Sequence, residues 1–97
     1  MSLATNQYLK DPSAILDWVF DWNDTDDHWL ASGETIDTHT ITVDTGLTKD
    51  SSTESGGKVT VWLSGGTAGE NYKVACLITT SAGRTDERTI WIKVVER

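Results

Sequence analysis

The sequence predicts an all-β domain of short antiparallel strands packed as a sandwich, and three observations carry that reading. Threonine fills 15 of the 97 positions, and β-branched side chains keep their preferred χ1 in a pleated sheet. Apolar residues recur with period two between Gly- and Ser-rich breaks. In GENYKVACLITTSAG, residues 69–83, Tyr72 opens an alternating run. That is the pattern of a tyrosine corner at the penultimate strand of an immunoglobulin-like fold. Its hydroxyl would reach back to the backbone around Thr67–Gly69, where Gly65, Gly66 and Gly69 leave room. A core tyrosine in some other antiparallel sheet is the plainer alternative. The expected architecture is thus an immunoglobulin-like antiparallel β-sandwich of about seven strands.

Residues 1–10 carry no pattern and read as a flexible N-terminal arm ahead of a single domain over 11–97. Asp11-Pro12 imitates a helix N-cap with proline at N1, and Ile15, Val19 and Trp22 fit a helical stripe. Yet Leu16, Trp18, Phe20 and Trp22 also alternate with Ile15, Asp17, Val19 and Asp21, and the aromatic content decides for a strand. Trp18, Phe20 and Trp22 then face the core and the aspartates face out. Asp24 to Leu30 reads as one helical turn crossing to the next strand. ETIDTHTITVDTGLT, residues 34–48, is strand-like, but Ile36 and Ile41 lie on opposite phases, which predicts a bulge or break near Thr38–Thr40. KDSSTESGG, residues 49–57, has no apolar residue and reads as an exposed loop.

The last three strands are the clearest. In GKVTVWLSGG, residues 57–66, Val59, Val61 and Leu63 face one way and Thr60 and Trp62 the other. In NYKVACLITTSAG, residues 71–83, Tyr72, Val74, Cys76 and Ile78 point inward, opposite Lys73, Ala75, Leu77 and Thr79. In RTIWIKVVE, residues 88–96, Ile90, Ile92 and Val94 point inward, and Trp91, Lys93 and Val95 point outward.

Charge narrows the partners. Lys and Arg number 8 against 15 Asp and Glu, for a net charge of −7; residues 1–54 carry −9 and residues 55–97 carry +2. Such a surface repels a phosphate backbone, which sets nucleic acid aside and favours a basic patch on another protein. The single cysteine, Cys76, leaves no internal disulfide, as in cytoplasmic proteins. MSLATNQYLKDPS lacks the basic and apolar regions of a signal peptide, and no run approaches the roughly 20 apolar residues of a membrane helix. The expectation is a soluble protein kept inside a cell, with no membrane partner. Asn23-Asp24-Thr25 spells a glycosylation sequon, which without a secretion signal is read as chance.

The stretch DWVFDWNDTDDHWL, residues 17–30, invites a metal or catalytic reading. An EF-hand loop needs Gly at position 6 and Glu at position 12. Counting from Asp21 puts Asp26 and Ser32 there, and counting from Asp24 puts Trp29 and Thr35. Zinc would have to draw on His28, His39 and Cys76 beside the acids, and Cys76 falls on a core face. No G-x-S-x-G occurs, and LSGGTAGE lacks the lysine of a phosphate-binding loop. Asp24 and Asp27 could share acid–base work only in a cleft that shifts one pKa, and a domain this small offers no obvious one. No catalytic residue, metal or cofactor is therefore expected.

The phrases YLKDPSAILDWVFDW, HWLASGETI, ITVDTGLTKDSS, VTVWLSGGTAGENYKVACLITTSAGRTDERTI and IKVVER resemble a family of short tailed-phage virion proteins, the fiber-tail adaptors. The similarity runs along nearly the whole chain from Tyr8 and is most specific from Val59 to Ile90. It implies an immunoglobulin-like sandwich without enzymatic activity, built into a virion at or near the tail or neck, after assembly in the host bacterial cytoplasm. Family members tend to run Asp-Trp-x-x-Trp-Leu with a short gap. Here Asp-Thr-Asp-Asp-His, residues 24–28, separates Asn23 from Trp29, so no role is carried over for this longer, more acidic loop; Trp22, Trp29 and Leu30 remain matched.

The partners so implied are other virion proteins, copies of this chain among them. Pairing of the last two strands is expected to bring Leu77, Trp91 and Val95 onto one solvent face, an apolar patch without a duty in a monomer. Lys73 and Lys93 share that face, and the acidic half of a neighbouring copy, with Asp24, Asp26 and Asp27, would complement them head to tail. The plainer alternative is that residues 3–9 cover the patch with Leu3, Tyr8 and Leu9. Trp29 beyond the acidic turn, with capping of the open end of the sandwich as its plainer alternative, and Trp62 on the other sheet complete the partner-binding candidates. The competing function is a carbohydrate-binding or adhesive module, which would stack sugars on tryptophans gathered on one face.

Overall fold

The computed structural model describes residues 7–23 and 29–96. Seven strands form: β1 (Gln7–Lys10), β2 (Leu16–Asp21), β3 (Ile36–Val43), β4 (Leu47–Ser55), β5 (Lys58–Gly65), β6 (Asn71–Thr80) and β7 (Thr85–Val94). They make two sheets, ordered β1-β7-β6-β3 and β2-β5-β4. Every pairing is antiparallel except β1 on β7, which is parallel. With β2, β5 and β4 as strands B, E and D, and β3, β6 and β7 as C, F and G, this is the immunoglobulin arrangement with the first strand moved across to strand G.

Alternation fills the space between the sheets as the sequence predicts. Val59, Val61 and Leu63 of β5 are fully buried, facing Val74, Cys76 and Ile78 of β6 and Ile92 and Val94 of β7, which are also fully buried. Each such aliphatic side chain contributes roughly 1.5–3 kcal/mol on burial. On β2 the inward parity holds but burial is graded: Phe20 is buried, Trp18 half-buried and Leu16 exposed. The expected bulge is present, because the β3–β6 register shifts between Ile36 and Thr38. The extra residue lets Ile36 be buried while Ile41 still packs against the core.

The tyrosine corner is formed. The Thr67 N–H donates to the Tyr72 hydroxyl at 2.9 Å. Its ring needs glycine on both sides: a Cβ on Gly66 would lie 3.4 Å from the ring and 2.6 Å from Val94, and one on Gly46 would lie 2.9 Å from the ring. Gly66 was legible beside the tyrosine in sequence; Gly46, on the β3–β4 turn, was not.

Two expectations need correction. Residues 49–57 do not form a loop: β4 runs through Ser55 as an edge strand paired with β5, and Gly56 and Gly57, at φ +62° and +85°, make the tight turn between them. Positive φ at both turn residues is what a type I′ hairpin demands. An edge strand needs no apolar pattern, and the charges and the bulge between Lys49 and Ser51 protect it from pairing with other chains. Within the expected N-terminal arm, Gln7–Lys10 is β1. Lys10 is fully buried, and its ammonium donates to the carbonyls of Asp11 at 2.9 Å and Gly65 at 2.7 Å, tying β1 to the other sheet. Burial lowers its pKa, against the opposing pull of Asp11 and Asp50. The single helical turn expected over 24–30 lies mostly outside the described residues, as do residues 1–6.

Candidate functional site

The sandwich has two broad outer faces and one latched end. On the four-stranded sheet, Trp91 lies opposite Lys73 across β6–β7 and opposite Gln7 across β1–β7, while Lys93 lies opposite Leu9. Trp91 is 43% exposed and Leu9 50%. Leu77 shares this face at 40% exposure, but it sits opposite Glu87, four residues along β6 from Lys73. That is roughly 13 Å at 3.3–3.4 Å per residue. The expected contiguous trio of Leu77, Trp91 and Val95 is therefore split: Val95 follows the end of β7, is half-buried, and gives its N–H to the Lys10 carbonyl at 2.8 Å. Leu9 shares this face from β1, opposite Lys93, while Gln7 is the β1 residue opposite Trp91. Tyr8, on the opposite parity, turns inward to Trp18, with ring centroids 6.4 Å apart.

On the three-stranded sheet, Trp62 projects outward at 42% exposure, opposite Asp17 of β2. Val19, 53% exposed, shares the face, as does Ile15, 62% exposed, by its parity just ahead of β2. Asp50 lies at its rim, accepting from the Ser64 hydroxyl at 3.0 Å. The sequence points to Trp62 alone here. Ile15 and Val19 were visible as the parity partners of Asp17, but the assignment of that parity to aspartates hid them.

Trp29 belongs to the latched end. It is half-buried against the core, and the Arg84 guanidinium lies 4.0 Å from its ring centroid. Arg84 also donates to the Trp29 carbonyl at 2.8 Å and bridges to Glu34 at 2.6 Å. The bond from Arg84, with others from the Thr80 hydroxyl and the Ala31 N–H, holds the Glu34 carboxyl down at about 2. Nothing in the sequence near Trp29 announces an arginine 55 positions later.

The potential chemistry is sparse. Burial, with Glu87 adding, pushes the Cys76 thiol up to about 12, which keeps it out of nucleophilic work. His39 shares a hydrogen bond with the Ser52 hydroxyl at 3.1 Å, linking β3 to β4. Among the described residues no three His, Cys, Asp or Glu side chains converge as metal ligands. A cleft of about 450 Å³ lies between β2 and the first half of β7; Phe20, Arg88 and Ile90 line it, and a second of about 330 Å³ lies beside Leu30 and Gly57. Among the described residues no histidine, cysteine or serine lines either. Asp24, Asp26, Asp27 and His28 lie outside the described residues.

A family model described as podophage GP4 fiber-tail adaptor protein gp77 matches residues 10–93. None of the curated proteins compared with the chain matches it.

Proposed function

The chain belongs to the podophage GP4 fiber-tail adaptor family gp77, and from that premise we propose that it is a non-enzymatic virion protein that docks between other virion proteins through the outer faces of its sandwich. The observation that carries this reading is the pair of mid-strand tryptophans, Trp62 and Trp91, projecting from opposite sheets at 42% and 43% exposure. A Trp side chain removes about 200 Å² from water when covered, on the order of 5 kcal/mol at about 25 cal/mol per Å². An adaptor needs surfaces directed at more than one neighbour, and a sandwich with an anchor on each face supplies them. The chain would be made in the host bacterial cytoplasm and carried into the particle there. Opposite placement of the two indoles weighs against a carbohydrate module, which gathers its aromatics on one face.

The test is particle incorporation. Trp91→Arg is expected to leave the chain folded, by circular dichroism and melting, yet absent from purified virions. Incorporation of the folded variant at wild-type occupancy would place the grip elsewhere.

A further inference from the structure

The cleft of about 450 Å³ is walled by two strand edges: residues 87–90 of β7 on one side and residues 19–21 of β2 on the other, with Tyr8 of β1 at one end. Hydrogen bonds at the strand ends tell which peptide groups face it. Val94 gives its N–H to Glu70 and takes one from Gly69, both on the β6 side, whereas Val95 gives its N–H to Lys10 of β1. Peptide groups alternate in direction along a strand, so Thr89 and Glu87 turn theirs to the β1 side. On β2, Trp22 gives its N–H to Gly57 on the β5 side, and the Asp21 carbonyl accepts from Arg88 at 2.8 Å. Val19, two residues from Asp21, therefore faces the cleft too. Among the described residues β1 pairs with β7 from Trp91 to Val94, and no strand pairs with Thr89, Glu87 or Val19 on this side.

The register of β1 indicates what fits. It runs parallel to β7, residue for residue, from Gln7 opposite Trp91 to Lys10 opposite Val94. Counted backwards, the same register sets Leu3, Ala4, Thr5 and Asn6 opposite Glu87, Arg88, Thr89 and Ile90, the four residues of the β7 wall. We propose that residues 3–6 of this chain extend β1 into the cleft and pair with the first half of β7. The Lys10 carbonyl accepts from Val95, so the even-numbered residues of β1 turn their peptide groups to β7. Ala4 then accepts from the Thr89 N–H and donates to the Glu87 carbonyl, and Asn6 donates to the Thr89 carbonyl. Side chains agree with this placement. Tyr8 and Lys10 point inward, and Asn6 and Ala4 share their parity. Asn6 brings an amide to the peptide edge of Val19, and Ala4, the smallest of the four, falls opposite Arg88, whose guanidinium occupies the space over the Trp22 ring. A bare strand edge is a template for pairing with other chains, so covering it leaves the outer faces as the surfaces for contact. The assignment stands whether or not those faces dock.

Amide hydrogen exchange on the full chain tests it. The Thr89 N–H is expected to exchange roughly a hundredfold or more slower than an unprotected amide, at a rate independent of protein concentration. Ala4→Pro and Asn6→Pro each remove a donor into β7 and are expected to speed Thr89 exchange roughly tenfold. The Lys93 N–H, which faces the described part of β1, should keep its rate. Thr5→Pro is the control, because its N–H points away from β7, where an edge strand tolerates proline, and Thr89 should then exchange as in wild type. If a proline variant also frees the core amide of Val74, it has unfolded, and Ala4→Trp, too large to sit opposite Arg88, takes its place with the same expected effect on Thr89. A Thr89 amide that exchanges at the unprotected rate in wild type overturns the proposal whatever the variants do. So does protection that survives every substitution at Ala4 and Asn6. Protection that falls on dilution puts the segment of another copy in the cleft and overturns the assignment to the same chain.

Discussion

Four of the tryptophans divide into two pairs with opposite fates. Trp22 is fully buried, its indole N–H donates to Asp86 at 2.8 Å, and the Arg88 guanidinium lies 4.9 Å from its ring. Trp29 is roofed by Arg84 at 4.0 Å. Both arginines reach back from the β6–β7 turn and β7, so this pair closes the end of the sandwich with groups from the last hairpin. Trp62 and Trp91 sit mid-strand, and among the described residues neither ring has an aromatic or guanidinium partner. What separates the pairs is an internal partner, not the residue type. An indole that the fold has already satisfied is architecture, and one that it leaves at a flat face is available to a neighbour.

The largest effect that could break this comparison is in the buried pair. Trp22→Ala removes a core aromatic and leaves Asp86 without its indole donor, and truncation of a buried tryptophan costs about 3–5 kcal/mol. For a domain that marginal in size, this is a large share of total stability. Urea denaturation is expected to show the transition midpoint falling sharply, with that much of the unfolding free energy lost. A loss below about 1 kcal/mol would mean that the indole is not a structural member, and the division between the pairs would collapse.

The division was only half legible in the sequence. Outward parity of Trp62 and Trp91 follows from alternation, because the inward sets beside them, Val59, Val61 and Leu63 on β5 and Ile90, Ile92 and Val94 on β7, are aliphatic. The alternation that places them breaks down only in the first half of β7, where Asp86 and Arg88 take inward positions against Trp22; the Tyr72 corner and the β3 bulge are likewise local consequences of pattern. Pattern fails where position is fixed by pairing across the chain. β4 has no apolar pattern in residues 49–55, and its place comes from register against β5. β1 is held by β7 and by the Lys10 ammonium, neither visible in residues 1–10. Trp29 reads from the sequence as either a gripping residue or a cap on the open end, and Arg84, which roofs it, lies too far along the chain to decide between them. Pairing of the last two strands places Leu77 and Trp91 on one face, but the register separates them along it, with Leu77 opposite Glu87 and Trp91 opposite Lys73.

An intermediate effect sharpens the comparison at the latch over Trp29. The Arg84 bond, with those from Thr80 and Ala31, depresses the Glu34 carboxyl from its ordinary 4.5 to about 2. Between those values the unfolded chain binds a proton that the folded chain does not, so this contribution is complete above about 4.5 and is lost as pH falls toward 2. Glu34→Gln should therefore be less stable than wild type near neutrality, with the gap narrowing as pH falls through that window. Melting both proteins from pH 7 to pH 2 measures the gap. A difference that stays constant with pH would show that the carboxylate charge does not hold the roof over Trp29.

The smallest effect is the most discriminating, because a near-zero result is what the exposed pair requires. Threonine keeps the β-branched preference for a strand, so Trp62→Thr and Trp91→Thr remove the indole without disfavouring the sheet. What folding loses is a set of cross-strand contacts, Trp62 with Asp17 and Trp91 with Lys73, each worth roughly 0.2–1 kcal/mol. Either variant is expected to melt within a few degrees of wild type, since about 1 kcal/mol shifts the midpoint of a domain this size by some 4–8 °C. If Trp91→Thr instead destabilised the chain as much as Trp22→Ala, the exposed indole would be part of the fold, and absence of Trp91→Arg from virions would report unfolding rather than a lost contact. A small stability change accompanied by lost incorporation would separate the two roles, because only a docking residue can be dispensable to the monomer and indispensable to the particle.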